Sequence, residues 1–148
     1  MKREELLVER IQLPIPGLHE MRIEAYDEGY DFLDTLLEEW VNGENRFDRT
    51  GEALCGHVDN GNLVAVGGLN RDPFVADVSV GRIRRVYVRQ AWRHRGLGAA
   101  LLDSLLCVAR ANFGTVRLRA ENPIAIRLYE SRGFVRVASS TATHVLKF

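Results

Sequence analysis

Two stretches of the sequence carry residue types that do chemistry. The first, Arg93-His94-Arg95-Gly96-Leu97-Gly98, sets positive side chains against two glycines just before an apolar helical run. Where a strand passes through such a turn into a helix, the first N–H groups of the helix are unpaired and point outward at its positive end, so anions bind there. Gly96 and Gly98 remove side chains where a phosphate must approach the backbone of residues 94 to 99, His94 through Ala99, and Arg93, His94 and Arg95 add charge around it. The same run is equally compatible with a solvated turn whose arginines face water. The second stretch, Asn122 to Phe134, puts Tyr129 on an amphipathic helix. Its phenol, with a reference pKa of about 10, is protonated at pH 7 and can donate a hydrogen bond. The weaker alternative is a core aromatic packed beside Leu128. Asn122 before Pro123 suits a helix cap, which alone would explain it.

The elements that position these stretches follow from hydrophobic spacing and turn residues. Leu6 to Leu13, closed by Pro14 and Pro16, reads as a strand. From Leu18 to Val41 the apolar residues Ile23, Tyr26, Tyr30, Leu33, Leu37 and Trp40 recur at three and four, giving one long helix or two with a break at Gly29. Strands over 52–58 and 62–69 flank Asn60-Gly61, a strong hairpin signal. A strand over 81–89 enters the basic turn, followed by a helix over 97–111, a strand over 116–120, a helix from Pro123 to Arg132, and a strand pair over 134–138 and 143–148. The order βααββ, βαβ, αββ predicts a single-domain α/β fold over residues 1–148. Its mixed sheet has helices on both faces, antiparallel amino-terminal strands and a parallel βαβ pair.

Composition narrows the function classes. The chain has 148 residues, formal net charge +0, and no apolar run of membrane-spanning length, and MKREELLVER lacks the core of a secretory signal, so a cytoplasmic protein is expected. Cys55 and Cys107 have no partners at metal-ligand spacing, so no metal is expected and both thiols are assigned to the core. Zero net charge gives no support to nucleic-acid binding. A P-loop would need Lys-Ser/Thr after its last glycine, whereas Ala99-Ala100 follow Gly98. The dinucleotide fingerprint is half met, with Leu101 at its third position and one parallel crossover where that fold uses several; Glu121 lies roughly where its ribose-binding acid would be.

A third phosphate-binding pattern fits both stretches. Arg93 to Gly98 matches the Q/R-x-x-G-x-G/A signature of the GNAT superfamily of N-acetyltransferases, Ile83-Arg84-Arg85-Val86-Tyr87-Val88 resembles that family's fourth strand, and Asn122 to Phe134 resembles its N-x-x-A-x-x-L-Y-x-x-x-G-F segment. The resemblance implies acetyl-CoA as co-substrate, its pyrophosphate on the amides of His94, Arg95, Gly96, Leu97, Gly98 and Ala99, and its pantetheine arm between two splayed strands, against the backbone of Val86, Tyr87 and Val88. It implies that the Val88 N–H polarises the thioester carbonyl, that Tyr129 acts as the acid near sulfur, and that Asn122 either caps its helix or touches the cofactor. Dimers are common in such proteins. Many relatives carry a glutamate base in or just before the fourth strand, but residues 80 to 85 contain no acid, which leaves His57, Asp72, Glu121 and His144 as substitutes. The missing glutamate also motivates a second reading, a non-catalytic coenzyme A or acyl-CoA binding module.

Charge distribution bears on the acceptor. Between Gly17 and Arg49 ten acids face three arginines, an excess of seven negative charges. Since the family's first helices form the acceptor side of the cleft, the expectation is a cationic amine, although such acids also suit a plain solvated helix face.

Overall fold

The computed structural model describes residues 6–148; part of the amino-terminal stretch weighed as a secretory signal, residues 1–5, lies outside the described residues. In the hairpin between β2 (Ala53–Asp59) and β3 (Asn62–Arg71), Asn60 and Gly61 take φ of 52° and 81°, the left-handed pair that a two-residue turn of this kind requires. The other elements are β1 (Glu9–Arg10), α1 (Leu18–Asp27), α2 (Phe32–Asn42), β4 (Val80–Val88), α3 (Leu97–Asn112), β5 (Thr115–Leu118), α4 (Pro123–Ser131), β6 (Val135–Arg136) and β7 (His144–Lys147). A short 3₁₀ turn over Gln90–Trp92, which the sequence pattern did not signal, precedes α3. The strands form a seven-stranded mixed sheet in the order β1-β2-β3-β4-β5-β7-β6, with β4 and β5 its parallel pair. No described helix is long and apolar enough to cross a membrane.

Two apolar layers sandwich the sheet. On one face α3 and α4 bury Leu97, Leu101, Leu105 and Tyr129 against Ala53, Ala65, Leu69 and Ile83. On the other, α1 and α2 bury Leu18, Met21, Ala25, Leu33 and Leu36 against Leu54, Leu63, Val66 and Tyr87. Each fully buried leucine contributes roughly 1.5–3 kcal/mol. The single stripe read through Ile23 and Tyr26 is corrected here. The chain breaks at Gly29, φ 93°, the second of the two alternatives, so the helical phase restarts, and α1 turns Leu18, Met21 and Ala25 inward while Ile23 and Tyr26 stand 52% and 67% exposed. The pairing of both cysteines with the core also holds for one only: Cys55 is buried, whereas Cys107 lies on the outer face of α3.

β4 and β5 pair only over Val80↔Thr115, Gly81↔Val116 and Arg82↔Arg117 and then diverge. At the point of divergence two arginines sit side by side, and the carboxylate of Asp72, fully sequestered from solvent, lies between them. Its Oδ2 accepts from Arg117 at 2.9 Å and from Arg82 at 3.4 Å. The other arms of these arginines reach the β6–β7 loop, Arg82 to the Thr141 carbonyl at 2.7 Å and Arg117 to the Thr141 hydroxyl at 2.6 Å. Asp72→Ala would leave two buried like charges adjacent and unneutralised, a change that typically costs about 3–5 kcal/mol. Urea denaturation should show that loss, and a variant as stable as wild type would mean that the cluster does not hold the strands together.

Candidate active site

The turn between β4 and α3 is built to leave donors free. His94 and Gly96 take φ of 64° and 83°, no side chain caps α3, and its first backbone bond runs from the Ala100 N–H to the Gly96 carbonyl at 3.0 Å. The N–H groups of residues 94 to 99 therefore have no acceptor among the described residues, and they cluster at the positive end of a 16-residue helix. Gly98 is open on its outer side, since a Cβ there would meet only Leu128, at 3.7 Å. Of the basic side chains, His94 and Arg95 are exposed, with Arg95 over the Trp92 ring at 4.6 Å. Arg93 is committed elsewhere: its Nε donates to the Val88 carbonyl at 2.9 Å, and both Nη groups grip Glu28 at 2.8 Å.

The gap beside β4 has a backbone cause. Gly68 pairs with Arg84 and Val66 with Tyr87, so β4 carries one residue more than β3 over this span, and the extra residue, Arg85, sits in the left-handed region at φ 61°. Such a bulge sharpens the local twist and swings the strand away. Beyond it the Arg89 N–H donates to the Val64 carbonyl at 2.9 Å, and alternation then points the N–H of Val88 the other way, toward the side that β5 has left. Val86 follows the bulge directly and packs against the α3 layer, while Tyr87 faces α1 and α2.

Tyr129 approaches from α4, whose start is fixed by Asn122: its Oδ1 accepts from the Ile124 and Ala125 N–H groups at 2.8 and 3.4 Å. The capping alternative for Asn122 is thus realised. The Tyr129 ring is 7% exposed and meets Phe134 edge-on with centroids 5.7 Å apart. Its hydroxyl has no hydrogen-bond partner among the described residues, and burial pushes the phenol up to about 12.

The candidate bases are scattered. His57 bonds the Leu7 carbonyl at 2.6 Å and lies 5.4 Å from Trp92. His144 is held between Thr143 at 2.8 Å and Glu130 at 3.1 Å, Glu121 is exposed beside Arg119, and Asp72 is taken by its two arginines. A cluster that sequence reading missed joins α1 to β4. The Tyr87 hydroxyl bonds Glu24 at 2.8 Å and also Glu28, and the Arg93 guanidinium lies 5.4 Å from the Tyr87 ring centre. The i, i+4 spacing of Glu24 and Glu28 places both on one helix face, the one available signal. Glu24, Glu28, Asp34 and Glu39 are paired with Arg89, Arg93, Arg22 and Arg85, so arginines neutralise part of the acidic surplus.

Comparison with known proteins is concordant. The acetyltransferase (GNAT) family model matches residues 15–134. A proposed acetyltransferase of Exiguobacterium sp. 255-15 superposes with a TM-score of 0.86 at 24% identity, covering 97% of this chain and 94% of that one. The protein PH1933 of Pyrococcus horikoshii OT3 gives 0.74 at 21% identity over 97% and 99% of the two chains. An acetyltransferase of Streptococcus agalactiae 2603 gives 0.71 at 14% identity, with 94% of each chain covered.

Hydrogen bonding from Arg93, more than any other factor, holds the Glu28 carboxyl down at about 2. A depressed carboxyl stabilises the fold above its unfolded value and loses that contribution as pH falls through the folded one. Glu28→Gln should therefore cost about 1–2 kcal/mol at pH 7, allowing for partial exposure. The difference from wild type should vanish as pH drops from about 4.5 toward about 2. A difference independent of pH would show that shape, not charge, carries the contact.

Proposed function

Because this chain belongs to the acetyltransferase (GNAT) family, acyl transfer from an acyl-CoA is its premise, and we propose that it is an N-acetyltransferase that carries acetyl from acetyl-CoA directly to a primary amine in a ternary complex. The observation that carries the reading is that the N–H groups of residues 94 to 99 are unpaired at the end of a strand whose Val88 N–H faces the side that β5 has left; Tyr129, whose hydroxyl has no partner among the described residues, is assigned to the same gap. Acetyl-CoA supplies an activated acyl carbon, its carbon–sulfur bond breaking as the carbon–nitrogen bond forms, while the amine loses one proton and the thiolate takes one up.

Each residue then has a separate task. The amides of His94 through Ala99 hold the pyrophosphate, with His94 and Arg95 adding charge, and the glycines keep side chains out of the approach. The backbone of Val86, Tyr87 and Val88 offers strand-like hydrogen bonds to the pantetheine arm, and the Val88 N–H polarises the carbonyl. Arg93 acts at one remove, fixing the Val88 carbonyl and tying the turn to Glu28 on α1. Tyr129, at about 12, lies well above the roughly 8.5 of a thiol, so it donates a hydrogen bond to the departing sulfur rather than surrendering its proton. With Asp72 and His144 bonded within the protein and no acid along β4, the amine arrives neutral or loses its proton to water.

Three outcomes test this. Tyr129→Phe should lower kcat by on the order of 10-fold to 10⁴-fold with acetyl-CoA affinity unchanged, because the hydroxyl acts on charge that develops only as sulfur leaves. Gly98→Glu, which keeps the fold because its Cβ meets only ordinary contact, should abolish acetyl-CoA binding by calorimetry. The rate should rise with pH as the amine deprotonates and show no fall from Tyr129 up to about pH 10, since the phenol stays protonated toward about 12. Acetyl-CoA binding without thiol release across a broad set of amines would instead make the chain a binding module.

A further inference from the structure

On the α2 face of the sheet a cavity of about 370 Å³ opens beside β4, bounded by the end of α2 with its following loop, by the β3–β4 loop and by Arg84. Its volume is at the lower end of the range of small-molecule sites. The buried or half-buried acids on its wall are engaged within the protein: Glu39 pairs with Arg85 at 3.0 Å, Asp72 with Arg82 and Arg117, and Glu52 accepts from the N–H groups of Arg49 and Arg71 at 3.1 and 2.9 Å. Arg84 is different. It is half-buried and makes no hydrogen bond or ion pair among the described residues, and burial lowers it to about 10, which leaves it charged at neutral pH. Two further groups on the same wall lack partners. Asn45 Nδ2 and Asn70 Oδ1 are both buried without a hydrogen bond, and Asn70 as a whole is only 7% exposed. The orientation of Asn45 is fixed, because its Oδ1 accepts from the Phe47 N–H at 3.0 Å.

Buried polar groups left unmatched are costly, and two of them lie on residues that line the same hollow as the unpaired, half-buried Arg84. We propose that this cavity is the acceptor subsite and that the acceptor is an amine that also bears a carboxylate, seated on the Arg84 guanidinium beside the side chains of Asn45 and Asn70. The proposal rests on the acetyl-transfer reading and gives it a substrate class. A forked guanidinium matches a carboxylate in two parallel hydrogen bonds. A phosphate dianion fits less well, because the exposed carboxylates of Glu44 and Asp77 also line the wall and add negative charge there. Placement agrees with the chemistry. Arg84 immediately precedes the bulge residue Arg85, so the cavity borders β4 at the residue before the strand turns aside. The proposed acceptor is neutral overall, whereas charge distribution alone suggests a cationic one.

The test is a calorimetric titration of the protein saturated with coenzyme A. The probes are primary amines whose carboxylates lie at increasing carbon separations, each matched with its amide. At least one carboxylate should bind, its amide on the order of 10-fold or more weaker. Arg84→Gln should weaken the carboxylate by about the same factor and leave the amide unchanged, with Arg84→Lys recovering part of the loss. Since the guanidinium is unpaired, Arg84→Gln should melt no lower than wild type, so loss of binding will not reflect loss of fold. Carboxylates and amides that bind alike, an unaffected Arg84→Gln protein, or no binding across the set would overturn the proposal. A melting temperature that coenzyme A leaves unchanged would count against the acetyl-transfer reading instead, and the same titration without coenzyme A then decides the cavity by itself.

Discussion

A parallel strand pair that must come apart partway along its length is held at one point, the carboxylate of Asp72. Three paired residues join β4 to β5, and the last of them, Arg82 and Arg117, would repel each other if left alone. Asp72 converts that repulsion into a three-way junction, and the remaining arms of the arginines carry it on to Thr141 in the β6–β7 loop. Below the junction the sheet is continuous; above it the bulge at Arg85 turns β4 aside while its pairing with β3 persists. The free N–H of Val88 follows from keeping the base closed and the top open.

A second junction fixes the upper end. Arg93 belongs to the basic turn by sequence, yet its guanidinium faces Glu28 and the Val88 carbonyl. The turn is thereby tied to α1 on the opposite face of the sheet. Positive charge at this site divides between structure and ligand: Arg82, Arg85, Arg93 and Arg117 neutralise the protein's own carboxylates, whereas the backbone amides after Arg93, His94 and Arg95 remain free. This division accounts for a chain of zero net charge that still presents an anion-receptive turn.

What could be read from sequence follows the range of the interaction. The Asn60-Gly61 hairpin, the glycines before α3, the Asn122-Pro123 helix start and the order of elements depend on neighbours in the chain, and the fold and family follow from them. Strand ends were read too long at β1, β5 and β6, where pairing partners rather than propensity set the limits. The Arg85 bulge left no mark, since no glycine signals its positive φ and only the count of residues against β3 reveals it. The buried face of α1 was misread because periodicity continued across Gly29 although the helix did not. Glu24 and Glu28 meet Tyr87 across some sixty residues of chain, a separation that no spacing rule spans.

The same logic explains why co-substrate and acceptor differ in legibility. A phosphate and a pantetheine arm are met largely by backbone groups, and backbone exposure requires glycines and turn residues at set intervals, which a sequence displays openly. The proposed acceptor cavity is lined instead by side chains that α2, its following loop, the end of β3 and β4 bring together, and each taken singly looks ordinary: Asn45 a loop residue, Asn70 a strand end, Arg84 one arginine among many. Only their shared lack of partners around one cavity sets them apart. An arginine at this place in β4 also changes what the strand contributes. Under the proposed reading it would offer, in place of a carboxylate that takes a proton from the amine, a cation that directs binding energy to an anion, so the residue that removes a base from the strand would be the one that selects the substrate.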